Sequence, residues 1–213
     1  MSAVGVARAA APFKLGFDIL QPCTPEMLSD AIGHGMIWVG RYLNNLSPAE
    51  RDLIFSAGLG ILPYTEAMTR EPLSASTGTT YGYTMAGAAL DLDMPAGVHI
   101  AIDLELPDAR SNAAAHVNAM ASELLAHGYG AALYVGVPQP LTSRELYALR
   151  PNRYIKGGGR ITDVFGSLAE PTCGWAALQL EPLESLTLGG VAVDVEVTKL
   201  DYQGRALTLW WPN

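Results

Sequence analysis

Cysteine is scarce in this sequence: Cys23 and Cys173 are the two thiols in 213 residues. Two cysteines make at most one disulfide, which excludes a disulfide-built scaffold, and they are too few for a zinc cluster. Basic residues are also short, 13 against 21 acidic ones, for a net charge of −8. A nucleic-acid partner is therefore not expected, because phosphate-binding faces are normally basic. No apolar run approaches the ~20 residues that span a bilayer, so no membrane span is expected. The start of the chain, through Pro12, has no apolar stretch of signal-peptide length. Residues 1–12 read as a flexible arm, which predicts a protein made in the cytoplasm that reaches any cell-wall substrate through another delivery system. The Gly-x-Ser-x-Gly and His-Glu-x-x-His patterns of serine esterases and zincins are missing. Asp18-Ile19-Leu20-Gln21-Pro22-Cys23, where a dinucleotide-binding sheet carries its glycine-rich phosphate loop, has no such loop.

What is present is a core. Hydrophobic residues are 49% and charged residues 16%, which excludes disorder. At roughly 100–200 residues per domain, 13–213 reads as a single domain. Strand-like runs at 14–19, 36–41, 59–65, 98–106 and 130–136 alternate with helix-like stretches at 25–34, 80–92 and 110–127. Thr24-Pro25 and Ser47-Pro48 are N-cap and first-turn signals, and Glu50 is placed for a capping box. The second half is less regular, with a helical turn at 142–149, a helix at 161–169 and strands at 153–156, 174–180 and 191–198. The tail 205–211 is expected to pair with 191–199 as a hairpin, and the Ser/Thr-rich stretch Ser74–Thr80 reads as an active-site loop. Alternation at this spacing predicts parallel strands and right-handed crossovers. The expected fold is a compact (β/α)8 TIM-like barrel with a C-terminal β-hairpin.

The acids fall at strand ends. In 98–106, Ile100, Ile102 and Leu104 share one face, while His99, Ala101, Asp103 and Glu105 share the other. The second face points into a barrel and ends in two acids, where barrel enzymes keep their chemistry. Asp18 ends the first strand in the same way, and Asp194 and Glu196 alternate with valines in the late one. The α-carbons of Asp103 and Glu105 lie roughly 6.5–7 Å apart on a strand. Two carboxyls that close push at least one pKa upward and divide into an acid and a base, as glycosidic cleavage requires. For Glu196 a functional and a structural role are equally open. Large aromatics such as Tyr134 and Trp175 are more often core than ligand platform. The four histidines show no metal-ligand spacing. Cys23 and Cys173 are expected at opposite barrel ends as free thiols.

Gly16-Phe17-Asp18, Val39-Gly40-Arg41-Tyr42, Ala101-Ile102-Asp103-Leu104-Glu105, Ala132-Leu133-Tyr134-Val135-Gly136 and Gly190-Val191-Ala192-Val193-Asp194 stand in order along the chain. Together they resemble the bacterial glycoside-hydrolase-like barrel family related to family 25 lysozymes (muramidases), over about residues 14–197. The resemblance implies a glycosidase acting on an N-acetylated polysaccharide, peptidoglycan above all, without metal or organic cofactor. It implies Glu105 as general acid and Asp103 as the partner that assists attack by the substrate's own N-acetyl group. Asp18 and Asp194 would line the same pocket. Glu66, Tyr134 and Gln179 stand at equivalent strand ends as candidates to bind sugar hydroxyls. Arg41 is a candidate either for substrate binding or for an ion pair with an acid. The alternative to an enzyme is a catalytically silent barrel that binds glycan or a protein partner.

Overall fold

The computed structural model describes residues 4–65, 73–104, 112–136, 141–157, 171–180 and 186–213. Eight strands close a barrel: β2 (Leu15–Ile19), β3 (Trp38–Tyr42), β4 (Gly60–Tyr64), β5 (His99–Leu104), β6 (Gly130–Val135), β7 (Arg153–Lys156), β8 (Ala177–Gln179) and β11 (Asp194–Thr198). The first seven run parallel, and β11 enters antiparallel to both its neighbours, β8 and β2. The expected barrel is there, but it is mixed rather than wholly parallel.

Helices α1 (Pro25–Gly33), α2 (Pro48–Ser56), α3 (Ala75–Asp91), α4 (Ala113–Ala126) and the single turn α5 (Ser143–Leu146) connect the strands. Thr24 and Ser47 cap α1 and α2 through their hydroxyls, each with proline in the first turn. Ser74–Thr80 is not a loop. Ser74 caps α3 in a reciprocal box with Thr77, and the rest of the stretch is helical. Packing overrides the weak helix propensity of these residues. A Cβ on Gly78 would sit 2.2 Å from the His116 carbonyl oxygen and one on Gly82 2.8 Å from that of Met120, so glycine lets α3 lie directly on α4. The predicted helix at 161–169 lies outside the described residues. No helix among the described residues is long and apolar enough to cross a membrane.

The two faces of each barrel strand serve two cores. Ile100, Ile102 and Leu104 pack outward with Met85, Val117 and Met120 of α3 and α4, whereas Ala101 packs inward with Trp38, Leu62, Ala132, Ile155 and Ala177. Trp38 fills the lower barrel, and its ring lies where a side chain on Gly16 would stand, 2.2 Å from a built Cβ. Trp38 and Trp210 are completely buried. Each contributes about 4–6 kcal/mol of gross burial free energy before entropy is subtracted.

Both chain ends differ from expectation. β12 (Thr208–Trp211) does not form a hairpin with β11, because both edges of β11 are already paired within the barrel. It runs antiparallel to β4 beside Ile61 and accepts β1 (Val6–Ala9) on its other edge. The anticipated flexible arm thus carries a strand, held further by the Ala10 N–H on the Leu207 carbonyl at 2.8 Å and the Trp210 indole on the Val4 carbonyl at 2.6 Å. β4 and β5 register at one pair only, Tyr64 with Ala101. β12 occupies the gap below, where the Thr208 N–H reaches His99 Nδ1 at 3.0 Å. The single strand expected over 191–198 is broken at Val193. Its first part, β10 (Val191–Ala192), turns back on β9 (Thr187–Leu188) across Gly189-Gly190, both at positive φ, as two-residue hairpins require.

Candidate active site

The last inward position of the parallel strands is repeatedly polar: Asp18 on β2, Tyr42 on β3, Tyr64 on β4, Asp103 on β5, Tyr134 on β6 and Gln179 on β8. One step deeper the residues are often small, as with Ala101, Ala132 and Ala177. Gly40 shows why. A Cβ there would lie 2.6 Å from Asp18 Cβ and 2.8 Å from the Tyr64 ring.

Hydrogen bonds cross the barrel at this level. The Tyr42 hydroxyl donates to Asp103 Oδ2 at 3.0 Å, Tyr64 to Glu196 Oε1 at 2.8 Å and Tyr134 to Gln179 Oε1 at 2.5 Å. The three rings touch in series, with centroids 5.7 Å apart for Tyr42–Tyr64 and 5.8 Å for Tyr64–Tyr134. Asp103 is fully buried, and its backbone N–H donates to Thr65 Oγ1 at 3.1 Å.

Asp194 reaches the same rim because β11 is reversed: it opens that strand and stands opposite Asp18. The two acids share a pocket of about 420 Å³ with Ile19, Leu20, Gln21, Tyr42, Ala192 and Val193. One wall is the segment after β2, and the other is the end of the β9–β10 hairpin. Glu196 lies one inward step below Asp194 and is fully buried.

The charges in the site are unequal in their surroundings. Burial first, then the repulsion of Asp194, raises the Glu196 carboxyl to about 8, against the opposing hydrogen bond from Tyr64. Burial also lifts the Tyr64 phenol well above its ordinary value, with the charges of Glu196 and Asp18 adding to it. Burial thus favours the protonated form of Glu196. Sequence parity put Glu196 on the inward face, but its depth followed only from the direction of β11. Tyr42, Tyr64 and Thr65 were not picked from sequence. Strand parity was the available signal, since Tyr42 and Tyr64 follow Gly40 and Leu62 by two.

Asp18, Asp103, Asp194, Tyr134 and Gln179 are thus brought to one end of the barrel. Glu105 and Glu66 lie outside the described residues. Arg41 does not reach the pocket. It points outward and is completely buried, its Nε 2.7 Å from Glu50 Oε1 and its Nη2 3.2 Å from Oε2, with Nη1 on the Ile19 and Leu20 carbonyls. The parity of β3 explains this, because the neighbours of Arg41, Gly40 and Tyr42, take the inward positions. Glu50 accordingly forms no capping box. Its carboxylate accepts from Arg41 and, at 2.8 Å, from the Cys23 N–H, so the pair fastens the segment that walls the pocket. Cys23 and Cys173 are both free thiols.

Among the described residues no cluster of three or more His, Cys, Asp or Glu is arranged to hold a metal ion. What the rim offers is carboxylates, hydroxyls and an amide around an open cavity, groups suited to polar, hydroxyl-rich ligands.

The fold is shared with proteins of known structure. The M. tuberculosis Tat-secreted protein Rv2525c, in complex with L-tartrate, superposes with a TM-score of 0.62 at 15% identity, covering 92% of this chain and 99% of that one. A family 25 glycosyl hydrolase from Bacillus anthracis gives 0.51 at 11% identity, covering 92% and 94%. The modular Cpl-1 endolysin, complexed with a peptidoglycan analogue, gives 0.55 at 15% identity, covering 90% of this chain and 56% of that one. No curated protein matches by sequence. The sequence profile of the Rv2525c-like, glycoside hydrolase-like domain matches residues 32–160, more than half of the chain. With this profile match laid over the barrel and its acidic rim, the chain belongs to the family of Rv2525c-like, glycoside hydrolase-like domains.

Proposed function

We propose that this protein is a glycoside hydrolase that cleaves an N-acetylated polysaccharide, with peptidoglycan as the substrate class. The observation that carries the reading is the pairing of Asp18 with Asp194 beside an open pocket, with Asp103 tied to the same rim through Tyr42. The complex of the similarly folded Cpl-1 endolysin with a peptidoglycan analogue supports the choice of substrate.

In this reading Glu105 gives its proton to the glycosidic oxygen as the bond to the anomeric carbon breaks. The carbonyl oxygen of the sugar's own N-acetyl group forms the new bond to that carbon. Asp103 orients and stabilises the amide as positive charge develops on it. Water then opens the cyclic intermediate, returning its proton to Glu105. Asp18 and Asp194 accept hydrogen bonds from the bound sugar. The test is release of new reducing ends from purified cell walls, with Glu105→Gln expected to lose at least ~100-fold in rate, the size of a general-acid contribution. A Glu105→Gln protein as active as the parent removes the assigned acid.

The complete burial of Asp103 favours a second reading, a silent glycan-binding barrel. Equilibrium binding to cell walls with no reducing ends formed selects it.

A further inference from the structure

Among the described residues, Glu196 is the one acid of the rim that no step above uses, and its surroundings are unusual. It is fully buried, two residues along β11 from Asp194, and in register with Gly16 of β2 and Gln179 of β8. Oε1 receives the Tyr64 hydroxyl at 2.8 Å, while Oε2 is buried with no hydrogen-bond partner among the described residues. An ionised carboxylate in that position would leave charge on an oxygen with no donor. A neutral carboxyl leaves only a hydroxyl unsatisfied, which is the smaller penalty. The ionisable groups around it among the described residues offer no relief. They are Asp18 from β2, Tyr42 from β3, Tyr64 from β4, Asp103 from β5, Tyr134 from β6 and Asp194 on its own strand, all acids or phenols; β7 presents Ile155 and β8 Gln179.

Tyr64 is also the middle ring of the three, in contact with Tyr42 on one side and Tyr134 on the other. Whatever holds Tyr64 therefore holds the hydroxyls that engage Asp103 and Gln179.

We propose that Glu196 is a positioning residue: it anchors Tyr64 and the tyrosine floor, and on losing its proton it sets a sealed charge beneath Asp18 and Asp194 that repels them and loosens the pocket. Its raised pKa is the expected companion of this geometry, with burial the leading cause and Asp194 the second source of the rise. The repulsion that Asp194 exerts on Glu196 acts equally in reverse. A pocket built this way works over neutral and mildly acidic pH and fails on the alkaline side.

The glycan arm of this proposal rests on the hydrolase reading, and the titration arm does not. The experiment is a carbon-detected NMR titration of the side-chain carboxyls from pH 5 to 9.5 on the full chain, with Glu196→Gln assigning the resonance. Glu196 is expected to titrate well above the ordinary carboxylate range, and the Tyr64 ring and Asp194 carboxyl signals are expected to move with the same midpoint. Tyr64→Phe removes the hydrogen bond that favours the ionised form and should move the Glu196 midpoint upward, which provides a second variant if Glu196→Gln folds poorly. In parallel, binding of an N-acetylglucosamine oligomer should weaken about tenfold from pH 6 to pH 9 in the parent, the effect of ~1.4 kcal/mol, and stay nearly level in Glu196→Gln. Glu196 titrating near pH 4–5, or its titration leaving Tyr64 and Asp194 unmoved, overturns the proposal. So does an equal alkaline loss of binding in parent and variant. Absence of oligomer binding at every pH, with the coupled titration intact, removes the glycan reading and leaves the positioning role standing.

Discussion

Asp18 and Asp194 stand directly opposite each other on neighbouring strands that run in opposite directions. Opposed residues of an antiparallel pair keep their Cβ atoms roughly 4.5–5.5 Å apart, and like charges there repel. The fold carries this repulsion at the mouth of its pocket.

Neutralising Asp194 should therefore stabilise the protein. Asp194→Asn is expected to gain about 0.2–1 kcal/mol in urea unfolding at neutral pH while weakening oligosaccharide binding. A loss of stability in this variant would show that Asp194 is held by attraction rather than tolerated.

Arg41 and Glu50 predict the opposite sign. Removing the guanidinium leaves a buried carboxylate uncompensated and releases the carbonyls of Ile19 and Leu20. Arg41→Met should cost about 3–5 kcal/mol, and the double variant Arg41→Met/Glu50→Met should recover part of it. The measurement is urea unfolding of the two variants against the parent.

His99 gives the protein an acid-sensitive base. Burial, with help from the Arg153 charge, lowers its pKa to about 4, and its Nδ1 accepts from the Thr208 N–H. The folded state therefore binds the neutral ring, whereas the unfolded chain takes up a proton below about 6.5. This contribution is complete above pH 6.5 and is lost as pH falls from there towards 4, up to about 3 kcal/mol. His99→Gln should show a shallower fall in Tm over that window.

The two thiols should react unequally. Cys23 is buried, and burial pushes its thiol up to about 12, while Cys173 is partly exposed. Iodoacetamide at pH 8 should label Cys173 first and Cys23 only on unfolding, read by intact mass.

The parts of the fold that the sequence made legible are those written in local periodicity. Ile100, Ile102 and Leu104 against Ala101 and Asp103 state which face of β5 turns inward, and Thr24-Pro25 and Ser47-Pro48 state where α1 and α2 begin. Periodicity of two carries no direction, so it could place Asp194 on the right face without showing that β11 runs backwards. It carries no partner either: β12 reads as a strand, but β11 has no free edge, and only the assembled barrel reveals the gap beside β4. Ser74–Thr80 has the composition of a loop, and contact of Gly78 and Gly82 with α4 makes it a helix. At the site, the acids stood out by charge, whereas Tyr42 and Tyr64 looked like ordinary core aromatics. Their hydroxyl partners, Asp103 and Glu196, lie 61 and 132 residues away.

β12 descends along β4, and β1 rises beside it from Val6 opposite Trp211. Val6 and Trp211 accordingly both lie at the floor of the cylinder, on the far side from the Asp18–Asp194 mouth. A tag, linker or surface tether joined at either end would hold the barrel by its base and leave the opening facing away from the point of attachment.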